Sequence, residues 1–224
     1  MKKKNIFLWV LLFIILTTYN LGLKEGPISS FFQIKKIEIR GVKNANINEI
    51  RESLEIFKEE SIITLNPKKF FFIIANDNFV KDLKIKKIYP DQIIITIEEH
   101  KPIGLFIYNN KKYILTYSGK KIEDYKKKFE SLPKVYGNNA DKNFSFFYKI
   151  LEDLNFDINQ VDHFTYFEIG RWDLLLKNEK LIKLPTDNNK SIDSIKKFLS
   201  IHKKENFKKF KVFDFRVKNQ LIMK

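Results

Sequence analysis

Ile88-Tyr89-Pro90-Asp91-Gln92-Ile93-Ile94-Ile95-Thr96-Ile97-Glu98-Glu99-His100-Lys101-Pro102 is the stretch on which the reading of this 224-residue chain turns. Pro90-Asp91 is turn chemistry. After it Ile93, Ile95 and Ile97 alternate with Ile94, Thr96 and Glu98, the period of a two-faced strand. Residues 82–89 read as the strand before the turn. Upstream, residues 33–40 set Ile37 and Ile39 against Lys36, Glu38 and Arg40, a strand ended by Gly41. Asn46 and Glu49 form a capping-box-like start, followed by Ile47, Ile50, Leu54 and Phe57 at helical spacing. Asn66-Pro67 opens a second helix, whose buried part is expected at residues 70–75; of two readings of Phe70-Phe71-Phe72, a membrane-facing patch and core packing, core packing is the expectation, because only one helix is available to carry them. The order is β-α-α-β-β over residues 31–100.

Beyond Pro102 the pattern changes to short strands at residues 104–108, 112–117 and 120–123. A helix at 143–156 follows, on Phe144, Phe147, Leu151 and Leu154. Strands at 161–168, 172–176 and 180–184, a helix at 189–202, and strands at 212–217 and 220–224 complete residues 101–224. Trp172 alternates with Leu174 and Leu176, which marks it as core and leaves Arg171, Asp173 and Lys177 outward.

At the N-terminus Lys2, Lys3 and Lys4 precede an apolar run from Ile6 to Leu16, and no charge interrupts the chain until Lys24. A helix over residues 6–23 rises about 27 Å, close to the thickness of a bilayer's hydrocarbon core. The rival is a cleaved signal peptide, which needs small side chains in a small-x-small pattern that residues 17–21 do not offer. A retained anchor places residues 1–5 in the cytoplasm, because basic flanks stay inside, and the rest beyond the membrane. The fold class is α+β: an N-terminal transmembrane helix, a small β-α-α-β-β domain, then a mixed β-rich domain with flanking helices.

The net charge of +15 invites a nucleic-acid reading, but only Arg40, Arg51, Arg171 and Arg216 are arginine, and lysine is spread along the whole chain. Bidentate phosphate and base recognition favours arginine, and no binding motif is present. With no cysteine, thiolate chemistry and disulfides are excluded. His100, His163 and His202 have no ligand-spaced partner, there is no H-E-x-x-H or G-x-S-x-G, and glycine is sparse. Glu98 and Glu99 point to opposite faces of a strand and read as solvated strand-end charges. No catalytic residue, metal site, cofactor or small-molecule substrate is expected.

The hairpin residues quoted above, with Phe32, Ile34, Ile37, Ile39 and Gly41, resemble the POTRA domain of the FtsQ/DivIB cell-division family in its alphaproteobacterial form. Further on, Leu132-Pro133 with Val135-Tyr136-Gly137 resembles that family's short loop motif. Gly170-Arg171-Trp172-Asp173-Leu174 with Leu181 and Leu184, and Phe213-Asp214-Phe215-Arg216-Val217 in the penultimate strand, resemble two more. The resemblance implies a non-catalytic, single-pass (type II) inner-membrane scaffold at the division septum, with its C-terminus in the periplasm. It implies FtsB and FtsL as partners, with FtsK and the septal synthase subunits FtsW and FtsI as further candidates. By position it assigns partner binding to Arg216 and Val217 in the penultimate strand, Asn219 in the turn, and Leu221, Ile222 and Met223 in the last strand. Arg171 marks a further candidate surface. Arg216 is expected to supply a charge-assisted bond to a partner carboxylate. The runner-up is a POTRA-type periplasmic chaperone or secretion component, which usually repeats the POTRA unit; no second copy is present. An anchored cell-wall hydrolase lacks its catalytic set.

Overall fold

The computed structural model describes residues 3–18, 30–123 and 128–224. Helix α1 (Lys3–Thr18) carries the N-terminal apolar run, and its side chains from Ile6 to Ile14 are exposed on every side. Sixteen residues rise about 24 Å. No helix among the described residues is long and apolar enough to cross a membrane. The expected span at 6–23 is corrected to that extent. The helix begins at Lys3, inside the expected cytoplasmic tail, and is described to Thr18, while residues 19–23 lie outside the described residues. The chain divides into two compact units, Met1–Glu99 and His100–Lys224.

In the first unit β1 (Lys36–Arg40), α2 (Ile47–Leu54), α3 (Lys68–Ile74), β2 (Val80–Ile88) and β3 (Gln92–Glu99) follow in the expected order. The sheet order is β1-β3-β2, with β3 parallel to β1 and antiparallel to β2. Isoleucine on both faces suits β3 to the centre. Ile93, Ile95 and Ile97 sit in the core with the helices, and Ile94 is buried on the opposite face. Asn46 caps α2 by accepting from the N–H groups of Asn48 and Glu49 at 3.2 and 3.5 Å. The reciprocal half of the box is altered: the Asn46 amide side chain meets Glu49, and its backbone N–H donates to Asp77 Oδ2 at 2.8 Å. Phe57 stacks on Phe70 with ring centroids 4.1 Å apart, worth about 0.5–1.5 kcal/mol beyond the area buried.

Two expectations fail here. Only Phe70 of the three phenylalanines enters the core; Phe71 is 42% and Phe72 75% exposed. Successive residues of a helix turn through 100°, so three in a row cannot share one face. Glu99 is no solvated charge: its Oε1 accepts from the backbone N–H groups of Lys43, Asn44 and Ala45 at 2.7, 2.9 and 3.0 Å, tying the loop before α2 to the end of β3. Glu98, on the other side of the strand, pairs with Lys81.

The second unit holds a nine-stranded sheet with helices on one face. In chain order the strands are β4 (Pro102–Tyr108), β5 (Lys111–Thr116), β6 (Lys121–Glu123), β7 (Lys134–Tyr136), β8 (Val161–Phe167), β9 (Arg171–Leu176), β10 (Leu181–Lys183), β11 (Val212–Asp214) and β12 (Ile222–Met223). Across the sheet they run β12-β11-β10-β9-β8-β7-β4-β5-β6. Helices α4 (Ala140–Asp153), α5 (Asn188–Ile201) and the short α6 (Glu205–Lys208) lie between strands in the chain. One row of paired residues, Phe106, Val135, Phe164, Leu174, Ile182, Phe213 and Met223, crosses seven strands and belongs to the core. The helices pack on it through Phe144, 5.0 Å from Phe164, and Phe198, 5.0 Å from Phe213. Trp172 is in this core as expected, stacked on Phe147 at 5.0 Å.

The segment expected as a loop around Val135 is strand β7, parallel to both neighbours; three residues are too few to show alternation. The last two strands are shorter than expected: β11 stops at Asp214, so Arg216 and Val217 lie past it.

Candidate partner-binding edge

The next row of paired residues points to the other face and is polar until its last member: Thr165, Asp173, Lys183, Asp214 and then Ile222 on β8 to β12. Asp173, Lys183 and Asp214 alternate in sign across adjacent strands, an attractive arrangement. Arg171, two residues before Asp173 on the same strand, and Arg216, two residues after Asp214, bring their guanidinium groups to this row.

Arg216 is committed within the chain. Its Nε donates to Asp214 Oδ1 at 2.8 Å and its Nη2 to Oδ2 at 2.6 Å, a bidentate fork, and its backbone N–H donates to Oδ1 at 3.0 Å. The Arg216 hydrogen bonds hold the Asp214 carboxyl below its ordinary range against the effect of burial, and Asp214 in turn raises Arg216. The fork uses Nε and one N–H of Nη2, which leaves the second Nη2 hydrogen and both Nη1 hydrogens outside it.

Arg171 is expected outward, yet its side chain is only 14% exposed and its guanidinium lies 4.0 Å from the ring centroid of Phe167. Asp173 is buried too. Its Oδ1 lies 3.2 Å from Arg171 Nε, within ion-pair distance but misaligned for a hydrogen bond, so charge alone joins the two atoms. Burial raises the Asp173 carboxyl above its usual range, with the nearby cations Arg171, Lys183 and Arg216 opposing.

Arg171, Asp214 and Arg216 border a groove of about 660 Å³. On one side the chain turns at residues 217–220, where the Gln220 N–H donates to the Val217 carbonyl at 3.1 Å and Asn219 takes a left-handed φ of 60°. On the other stands α5, capped by Asp187, which accepts from the Lys190 N–H at 3.0 Å. Of the sequence-assigned residues, Arg171, Arg216, Val217, Asn219 and Ile222 line this groove. Leu221 and Met223 instead pack against the core. Lys190, Asp193 and Lys197 of α5 also line it and were missed, although their i, i+3, i+7 spacing on a helix marks one face.

Beside the groove is a sheet edge. Strand β12 pairs with β11 on one side and is outermost. Val212 and Lys224 exchange both backbone hydrogen bonds, at 3.0 and 3.2 Å. By antiparallel alternation, Met223 then directs its N–H and C=O away from β11. An outward backbone next to an apolar and charged groove is suited to adding a strand from another chain. No group of three or more metal-ligating side chains occurs among the described residues. His100 meets Ser118, His163 meets Asp162, and His202 is buried against the Phe198 carbonyl.

Two family models match in sequence. The FtsQ-type POTRA domain covers residues 32–100, and the FtsQ/DivIB cell division protein C-terminal domain covers residues 106–216. The chain belongs to the FtsQ/DivIB family. FtsQ cell division proteins from Rickettsia bellii and Bartonella bacilliformis are both 27% identical to it, over 84% and 80% of this chain and 71% and 58% of theirs. The major extracytoplasmic domain of DivIB from Geobacillus stearothermophilus aligns with 47% of this chain and 90% of its own at 12% identity and a TM-score of 0.35, too distant to add weight. Membership gives the chain a role in cell division, and FtsQ proteins are membrane proteins of the division site. The C-terminal match stops at Arg216, before the 217–220 turn and β12.

Proposed function

We propose that this chain is a non-catalytic scaffold of the bacterial division complex, single-pass in the inner membrane, with its N-terminus cytoplasmic and its second unit capturing an FtsB-type segment at the β12 edge. FtsL joins through that partner, and the first unit is a further docking surface toward FtsK or the septal synthase FtsW and FtsI. The observation that carries the reading is the outermost strand β12 beside the groove: backbone groups for pairing, and Arg171, Arg216 and Ile222 for selecting what pairs. The apolar run of α1 behind Lys2, Lys3 and Lys4 supports the anchor and its orientation. The C-terminal family match favours this reading over a POTRA-type chaperone or secretion component.

Ile222 is 39% exposed and lines the groove, so Ile222→Asp tests the edge without emptying the core. Copurification of an FtsB-type partner with the full chain should fall at least about tenfold in the variant, the scale of one lost interface anchor. Undiminished capture by a folded variant would place the partner elsewhere.

A further inference from the structure

Helix α3 turns Phe70 and Ile74 inward, and at 100° per residue this puts Lys68 and Phe72 on the side away from the core, with Phe71 and Lys69 on its flanks. The helix, KKFFFII, holds no acidic residue. Two neighbouring phenylalanines at 42% and 75% exposure are more than the scattered single apolar residues of an ordinary surface. The surroundings extend the patch. Lys69 pairs with Glu60 at 3.5 Å, and the Ile62 N–H donates to the Phe32 carbonyl at 2.9 Å. These bonds link the start of α3 to the segment where the chain enters the unit, in which Phe31 and Ile63 are also exposed. Only residues 19–29 separate α1 from Ser30. Eleven residues reach at most about 40 Å, whereas a unit of some 70 residues has a radius of gyration of about 11 Å.

We infer that the outer face of α3 docks on the anionic bilayer surface that holds α1. Phe72 and Phe71 enter the boundary between headgroups and acyl chains, and Lys68 meets lipid phosphates with its stem along the apolar surface, while Lys69 beside it is held by Glu60. A helix face offers no backbone edge for strand pairing, unlike β12. Apolar rings flanked by ammonium groups, on a chain of net charge +15, match a negatively charged lipid surface. The inference rests on the membrane anchor proposed above.

The chain has no cysteine, so one introduced cysteine is a unique labelling site. The full chain would be reconstituted in phosphatidylethanolamine vesicles with and without phosphatidylglycerol. An environment-sensitive fluorophore would be placed in turn on Phe72→Cys, on Leu12→Cys in α1, and on Lys84→Cys. Lys84 lies on the sheet face away from the helices, because Leu83 and Ile85 pack against the core. With phosphatidylglycerol present, the Phe72→Cys probe should shift to the blue and be quenched by nitroxide lipids, while the Lys84→Cys probe stays aqueous. An aqueous Phe72→Cys probe beside a lipid-embedded Leu12→Cys probe overturns the docking and leaves the anchor standing. An aqueous Leu12→Cys probe overturns the anchor, and the Phe72→Cys probe still decides lipid contact of α3 by its own signal. An equal Phe72→Cys response without phosphatidylglycerol overturns recognition of anionic headgroups.

Discussion

Asp214 and Asp173 stand in one row of the sheet, on either side of Lys183, with opposite responses to pH. Asp214 titrates below its ordinary 3.8 in the folded chain, chiefly because it accepts hydrogen bonds from Arg216. Its contribution to stability is therefore complete above the unfolded value and is lost as pH falls through the depressed folded value. Arg216 is partly exposed, so Asp214→Asn should cost no more than about 1 kcal/mol at neutral pH. The gap between variant and parent, measured by urea midpoints, should close as the pH is taken below 3.8. A gap that is constant with pH would contradict the fork. Asp173, raised by burial, works in the other direction: its ionised form is penalised at neutral pH and acid relieves it, so the test compares variant with parent and not one curve alone. Alternation in Phe213-Asp214-Phe215-Arg216 puts both charges on one face, yet Arg216 was assigned to a partner carboxylate and its pairing with Asp214 was missed. The burial of Asp173 was not legible either, because alternation with Trp172 and Leu174 marks it only as outward-facing. Glycine is more direct. Gly137 has φ of 111°, and a Cβ there would collide with the Tyr166 carbonyl. Gly137→Ala should destabilise the second unit by about 2–5 kcal/mol in thermal unfolding.

The elements with many residues and one dominant period were legible: α4, α5, β3 and β9 fall within a few residues of their expected places. Those made by long-range pairing were not. Strand β7 exists because β4 and β8 hold it from both sides, and α6 has four residues and no period to read. The terminal strand shows the same limit: its two residues divide, Ile222 toward the groove and Met223 toward the core. Deleting residues 220–224 should consequently do two things. It should abolish partner capture, and by removing Leu221 and Met223 from the core it should lower the second unit's thermal midpoint by several degrees, about 1–3 kcal/mol of lost burial. The first unit, whose core shares no residue with the second, should keep its own transition. A deletion that leaves the second unit's midpoint unchanged would mean that β12 is not docked on β11.

For the whole molecule, the sequence carried the division into an apolar N-terminal helix, a β-α-α-β-β unit and a larger strand-rich unit, and the family followed from motifs spread through both units. The geometry of the partner site did not follow so readily. Arg171, the Asp214–Arg216 pair and the α5 face lie on three separate segments that only the folded sheet brings to one groove. If a partner strand pairs with the outer edge of β12, as proposed, the backbone amides of that edge report on it. Hydrogen exchange of the full chain, with and without an FtsB-type partner, reads them directly. The Met223 amide, directed away from β11, should exchange freely in the chain alone and become strongly protected on binding, with smaller changes around Arg171 and Val217. Saturating partner that leaves the exchange of residues 221–224 unchanged would contradict strand addition at this edge.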